Sequence, residues 1–118
     1  MRNLGRTGRL ILTVLAREPS HGYGVILWAK NASGGSEQLS VGSVYGSMDK
    51  LEEKGLIEHD HDDVENGRTR RYFRITEEGR TRLTKEVNRL ANEVQAAQAA
   101  LNIAPPLAGP GGLAGQTL

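Results

Sequence analysis

Apolar residues recur at α-helical spacing in the first third of the chain and predict two short helices. The first contains Leu10–Ala16 and should end before Pro19, because the residue that precedes a proline is pushed out of the helical region. The second should begin near Ser20 and stop in the run 31–35, whose small and polar residues are typical of a loop.

A third helix is predicted between two residues that are suited to cap it. The hydroxyl of Ser40 can accept a hydrogen bond from an otherwise unpaired backbone amide, and Gly55 suits the position after a helix. The apolar positions that should face inward are Val44, Met48 and Leu51. The opposite side of the helix then carries Ser43, Ser47 and Lys50.

The next segment alternates like two β-strands joined by a tight turn. A first strand should begin at Leu56–Ile57, and Asn66–Gly67 is a strong hairpin signal because both central positions of such a turn need a positive φ. Alternate side chains of the returning strand point to opposite faces. One face would carry Arg71, Phe73 and Ile75, and the other Arg70, Tyr72 and Arg74.

A long final helix follows, with Thr76 as its cap and Glu77 and Glu78 in its positively polarised first turn. Its apolar residues repeat in alternating steps of four and three, which is the heptad seam of a helix that needs a partner. The seam consists of Leu83, Val87, Leu90, Val94, Ala97 and Leu101. A second copy of the chain is the favoured partner, and the alternative is packing on its own domain.

Together these elements predict a mainly α protein with a small β-hairpin (α+β). Residues 1–76 should form a winged helix-turn-helix domain, residues 77–104 a C-terminal dimerisation helix, and residues 105–118 a disordered tail. With 118 residues and 37% hydrophobic content the chain can bury only a modest core, and dimerisation would add to it.

Composition limits the chemistry and the compartment. The chain has no cysteine, no apolar run that could span a membrane and no signal-peptide pattern, so a cytoplasmic protein without membrane contact is expected. It lacks a nucleophile–base pair, a carboxylate pair and a phosphate-binding glycine loop, which argues against an enzyme. No cofactor and no metal are expected, although His59 and His61 would share one face of a regular strand.

Charge is distributed unevenly, although the net charge is only +1. Residues 58–65 hold five acids and no Lys or Arg, whereas residues 68–82 hold six arginines against two acids. A basic hairpin that follows a helix suits the phosphate backbone of a nucleic acid. The alternative is an ordinary solvated surface.

The order of the elements and a set of short motifs resemble the PadR-like family of winged-helix transcriptional regulators. The motifs are Leu10–Leu15, Ser20–Tyr23, Leu39–Tyr45, Leu51–Ile57, Asn66–Arg68 and Tyr72–Thr76. The resemblance implies a dimeric DNA-binding repressor of the small subclass, often released by a small effector. The sequence departs from the family at Gly46, where proline is usual, and at Leu27–Trp28, where charged residues are more common.

The expected DNA-binding residues lie on the third helix and on the β-hairpin, which is called the wing. They are Ser40, Ser43, Tyr45, Ser47, Lys50, Arg68, Arg70 and Arg71. The helix would enter a major groove, while the arginines would contact phosphate or reach into a minor groove. Tyr45 is equally well explained as a core aromatic residue beside Val44. Arg74 differs from the other arginines, because at the strand end it can pair with Glu77 or Glu78.

Trp28 is the candidate effector-binding residue. Adjacent Leu27 and Trp28 cannot both face the same core, and the apolar surface left over suits a dimer contact or a flat aromatic effector. The alternative is a tryptophan that packs against the final helix of its own or the partner chain.

The expected function is that of a homodimeric repressor that binds a pseudo-palindromic operator in double-stranded DNA and responds to a small hydrophobic or aromatic effector. Dimer symmetry predicts half-sites about one helical turn apart. The alternative is a winged-helix dimer that acts as a protein–protein interaction module, with its arginines bound to an acidic partner.

Overall fold

Four helices and one hairpin follow one another in the order that the hydrophobic pattern predicts. The computed structural model describes residues 4–35 and 38–103, so the predicted tail, residues 105–118, lies outside the described residues. The helices are α1 (Arg6–Arg17), α2 (Gly22–Ala32), α3 (Val41–Glu53) and α4 (Glu77–Leu101), and the strands are β1 (Ile57–Glu65) and β2 (Arg68–Ile75). The predicted mainly α architecture with a small hairpin is confirmed.

Side chains cap the first turns of α2, α3 and α4. The hydroxyl of Ser40 accepts a hydrogen bond from the amide of Ser43 at 3.1 Å, and Thr76 caps α4 in the same way. Both caps were expected from the sequence. Helix α2 is capped by His21, whose Nδ1 accepts from the amide of Gly24 at 3.1 Å. This ring nitrogen must be unprotonated to accept the bond.

The hairpin turns where the sequence predicts it. Asn66 and Gly67 have φ values of 52° and 77°, as the two central positions of a tight primed turn require. The two strands pair antiparallel from Ile57 opposite Ile75 to Glu65 opposite Arg68.

An irregularity in β1 changes which side chains share a face. His59 lies opposite Phe73, but His61 lies opposite Tyr72, so Asp60 is an additional residue in the ladder. Phe73 and Tyr72 are neighbours on β2 and point to opposite faces. The two histidines therefore lie on opposite faces of the wing, and the prediction that they share one is wrong.

The core lies between α1, α2, α3 and the base of the wing. Its largest fully buried side chains are Ile11, Leu12, Leu15, Val25, Val44 and Ile57. Ser20 and Phe73 exchange both backbone hydrogen bonds, at 3.0 and 2.8 Å, which attaches the wing to the α1–α2 loop. Gly79 lets the first turn of α4 approach the chain closely, because a β-carbon there would lie 2.1 Å from the carbonyl oxygen of Leu56.

The chain divides into two units, and the boundary lies inside α4 between Glu86 and Val87. In the first unit the buried carboxylate of Glu86 accepts a hydrogen bond from the amide of Leu4 at 3.0 Å. The second unit continues the helix to Leu101. None of the helices in the described stretches is both long and apolar enough to cross a membrane.

Candidate nucleic-acid interface

Helix α3 buries one face and exposes the other, as its sequence predicts. Val44, Met48 and Leu51 are at most 4% exposed. The outer face carries the predicted DNA-binding residues of this helix, with Ser40, Ser43, Tyr45 and Lys50 exposed and Ser47 half-buried. The exposed side of α3 therefore combines these hydroxyl groups and one ammonium group with the carboxylates of Asp49, Glu52 and Glu53.

Tyr45 is not a core residue, so the interpretation of its ring as a core aromatic is wrong. Its side chain is 44% exposed, and its ring lies against Gly22 in the first turn of α2. This contact fixes the ring at the surface between the two helices of the helix-turn-helix.

A cleft of about 310 Å³ separates α3 from the wing. Tyr45, Met48 and Asp49 line it from α3, and His21 lines it from the start of α2. The wing contributes the residues Arg68, Thr69, Arg70, Arg71 and Phe73. The structure thus brings the predicted wing arginines and one residue of the outer face of α3 to the same concave surface.

The arginines of the wing are in different environments. Arg68 and Arg71 are exposed, and the guanidinium of Arg71 lies 5.1 Å from the centre of the Phe73 ring. Arg70 is half-buried, with its guanidinium 5.2 Å from the centre of the Tyr23 ring. The three arginines were predicted to play the same role, but in the fold Arg70 differs from the other two in exposure.

Arg74 pairs across the hairpin rather than with the start of α4. Its Nε donates to Glu58 at 3.0 Å and one of its terminal nitrogens donates to Asp60 at 3.1 Å. The predicted pairing with Glu77 or Glu78 is wrong, because the antiparallel register places Arg74 opposite Glu58. Hydrogen bonds from His61 and then Arg74 hold the pKa of the Asp60 carboxyl below its usual value.

Aromatic rings join the wing to the first turn of α2. The Tyr72 ring meets His21 edge to face at 4.9 Å and stacks on His61 at 4.4 Å. Its hydroxyl donates to Glu65 at 2.9 Å, and this bond raises the pKa of Tyr72. Burial lowers the pKa of His21, and the positive charge of Arg70 lowers it further.

A second concave surface, of about 330 Å³, lies between the start of α1 and α3 and was not predicted. Arg6 and Thr7 line it from α1, Ser47 and Lys50 line it from α3, and Lys54 lines it from the position just after α3. The hydroxyl oxygens of Thr7 and Ser43 are 3.4 Å apart. Periodicity assigns each helix an inner and an outer face, but it does not indicate which helix ends meet.

Of the predicted effector-binding and dimerisation residues, some pack against the core of the first unit and others are exposed. Trp28 is half-buried against the core cluster, while its neighbour Leu27 is 42% exposed. Leu83 also packs against the core of the first unit. Further along the predicted seam Val87, Val94 and Leu101 are 53%, 49% and 67% exposed, Ala97 is exposed and Leu90 is half-buried.

The two histidines of the acidic strand pair with neighbouring carboxylates. His59 bonds to Asp62 and His61 to Asp60, each through a single carboxylate oxygen. Across residues 4–35 and 38–103, no three His, Cys, Asp or Glu side chains are grouped so that they could hold a metal ion.

A helix-turn-helix whose second helix stands beside a basic hairpin defines the winged-helix class of proteins. The sequence profile of the Transcriptional regulator PadR-like family matches residues 11–85, and the chain belongs to this family. The predicted family is thereby confirmed. Because the family consists of transcriptional regulators, the expectation that the chain is not an enzyme is also confirmed.

The chain is also similar to one curated protein and to several solved structures. A protein of unassigned function from Lysinibacillus sphaericus is 30% identical over 87 residues, which are 74% of this chain and 80% of that protein. A PadR family transcription regulator from Clostridium difficile has a TM-score of 0.64 at 24% identity, covering 82% of this chain and 98% of its own. Bacillus subtilis PadR, solved in complex with operator DNA, has a TM-score of 0.62 at 18% identity. The match covers 70% of this chain and 46% of that one. At these identities the structural likeness concerns the fold.

Proposed function

We propose that this protein is a homodimeric, sequence-specific DNA-binding repressor of transcription. The observation that carries the proposal is the cleft between α3 and the wing, where the exposed residues Tyr45 and Asp49 of α3 lie across from the exposed arginines Arg68 and Arg71 of β2. The fold shared with Bacillus subtilis PadR, whose structure is that of a complex with operator DNA, supports the same conclusion. Repression is the proposed outcome because it is what the resemblance to the PadR-like family implies.

In the proposed complex α3 enters a major groove. The hydroxyls of Ser43 and Ser47 and the ammonium group of Lys50 are suited to base edges and phosphates. Arg68 and Arg71 on the wing neutralise the flanking backbone. Tyr45 lies between these two regions and adds an aromatic contact.

Dimerisation is proposed through α4. Val87, Val94 and Leu101 recur at heptad spacing and are about half exposed or more, so this part of the helix presents an apolar stripe that a second copy can cover. In this proposal residues 1–76 bind DNA and residues 77–104 dimerise. The two-fold symmetry then places the half-sites of a pseudo-palindromic operator about one helical turn apart.

Release by a small hydrophobic or aromatic effector is proposed at Trp28. Its half-buried ring and the exposed side chain of Leu27 leave apolar surface at the middle of α2. Trp28 is the only tryptophan of the chain, so its fluorescence reports on this place alone. Titration with a panel of small aromatic compounds should quench or shift that emission at saturable concentrations.

Selection from random duplex DNA, followed by gel-shift titration at several salt concentrations, tests the DNA-binding proposal. Arg68→Ala should weaken binding. It should also reduce the magnitude of the slope of log K against log salt concentration, which we call the salt dependence, by about 0.9 for each wing that contacts DNA. Arg17→Ala removes the same charge from the end of α1, outside both clefts, and should leave the salt dependence unchanged. If no duplex is enriched or shifted at low salt, the repressor proposal fails and the interaction-module alternative is favoured.

A further inference from the structure

The surroundings of Arg70 differ from those expected of an arginine that binds phosphate. Its side chain is only 22% exposed, and its guanidinium lies over the Tyr23 ring. Its Nε is buried and has no hydrogen-bond partner in the described part of the chain, the nearby Oε1 of Glu65 being 3.8 Å away. An arginine that binds a phosphate presents its donor fork to the ligand. In Arg70 the Nε edge of that fork is buried, and the guanidinium lies over the Tyr23 ring.

The neighbours of Arg70 are themselves held in place. Tyr72 donates a hydrogen bond to Glu65, and the Tyr72 ring also packs against His21. His21 and Tyr23 belong to the start of α2, whereas Glu65, Arg70 and Tyr72 belong to the two strands of the wing. We call these five residues the wing clasp, because they connect both strands to one helical turn.

The same turn of α2 also contacts α3. Gly22 lies between His21 and Tyr23 in the sequence, and the ring of Tyr45 packs against it. The backbone bonds between Ser20 and Phe73 fix only the base of the wing. The wing clasp adds a second attachment between the wing and the start of α2, closer to the tip.

We propose that Arg70 is a positioning residue, which orients the wing toward α3 through the wing clasp and does not itself neutralise a DNA phosphate. This inference rests on the proposed function and reassigns one residue of the predicted DNA-binding set. Direct phosphate contact is left to Arg68 and Arg71, which are exposed. A planar guanidinium over a phenol ring is an interaction that lysine does not reproduce well.

The first experiment uses the full-length protein without DNA and measures thermal unfolding by circular dichroism. Tyr23→Ala and Arg70→Ala should each lower the Tm by about 3 °C. The double variant should lose little more than either single variant, because both changes remove the same contact. Tyr23→Ala combined with Arg71→Ala is the control pair, and its effects should add. Additive effects for Tyr23 and Arg70 would overturn the wing clasp.

The second experiment measures affinity for a selected duplex as a function of salt concentration. Arg71→Ala should lower the salt dependence by about 0.9 per wing, as the loss of a phosphate contact requires. Arg70→Ala should weaken binding about fivefold with the salt dependence unchanged. Arg70→Lys, which keeps the charge but not the planar group, should bind as weakly as Arg70→Ala.

The outcomes separate the two proposals. If Arg70→Ala lowers the salt dependence as much as Arg71→Ala does, and Arg70→Lys restores it, then Arg70 binds phosphate and the inference is wrong. If the wild-type protein binds no duplex, the proposed function fails. In that case the unfolding experiment still decides whether the wing clasp exists.

Discussion

The ring of Tyr45 lies so close to Gly22 that a β-carbon at residue 22 would stand 2.7 Å from its Cε1 and Cζ atoms. The absence of a side chain on α2 therefore determines where an aromatic ring on α3 can lie. Because that ring is at the surface of the cleft, a residue that cannot touch DNA through a side chain controls the position of one that is proposed to do so.

Gly22→Ala should therefore affect DNA binding more than folding. The atoms that the new methyl group meets belong to the far end of a side chain, so the ring can rotate away, and the unfolding free energy should fall by about 1 kcal/mol or less. DNA affinity should fall about tenfold, the size of one lost contact. Adding Tyr45→Ala should restore the free energy of unfolding, measured by urea unfolding, but not the affinity, measured by gel shift. Wild-type affinity in Gly22→Ala would contradict the proposed role of Tyr45.

Gly79→Ala should destabilise the fold itself. The new β-carbon would lie 2.1 Å from the backbone carbonyl oxygen of Leu56, which cannot move without shifting the start of β1. We expect a loss of about 3 kcal/mol in the free energy of unfolding. Gly42→Ala is the matched control, since nothing lies within 4 Å of a β-carbon there and alanine favours a helix. Equal stability of the two variants in urea would show that the contact is not tight.

Stability should decrease in mildly acidic solution because of His21. Its pKa in the folded protein is lowered by burial and by Arg70, so below the ordinary value of 6.5 the unfolded chain binds more protons than the folded one. The contribution of His21 to the free energy of unfolding is thus complete above pH 6.5. It is lost as the pH falls from 6.5 toward the lowered pKa. His21→Asn keeps a cap acceptor without this titration.

Urea unfolding of the wild type and His21→Asn between pH 8 and pH 5 measures the difference. The two other histidines remain in both proteins, so the difference between the curves belongs to residue 21. The wild type should lose more stability than the variant over this range. Parallel curves would show that protonation of His21 does not affect folding.

Val94→Glu should convert a dimer into monomers without unfolding the first unit. The side chain is 49% exposed in the single chain, but in the proposed dimer it would lie in the seam, where an unpaired carboxylate is strongly unfavourable. Asn92→Glu adds the same charge two residues away, off the seam, and should remain dimeric. Molar mass by light scattering distinguishes the two variants. A wild type that is monomeric at micromolar concentration would refute the seam.

Much of the fold could be predicted because the signals are local. Ser40 and Thr76 cap helices from positions adjacent to them, and Asn66 and Gly67 form a turn through their own backbone preferences. The inner and outer faces of α3 follow from spacing alone. Each of these features depends on residues within a few positions of one another, which is the range that a sequence pattern reports.

The features that escaped prediction depend on pairing between distant segments. Asp60 is an additional residue only in the pairing of β1 with β2, and this irregularity places His59 and His61 on opposite faces. The contact of Arg70 with Tyr23 requires the wing to fold back on α2, and the approach of Thr7 to Ser43 requires α1 to dock beside α3. Arginines that are equivalent in the sequence therefore differ in the fold.

The two edges of the wing carry opposite charge, since β1 holds the acids of residues 58–65 and β2 the arginines. Arg74 is already bound to Glu58 and Asp60 near the base, so the exposed positive charge of β2 is concentrated toward the tip, at Arg68 and Arg71. An edge of carboxylates repels a phosphodiester chain. In the proposed complex a duplex would therefore approach the hairpin from its arginine-bearing side, and this preference would not depend on any base being recognised.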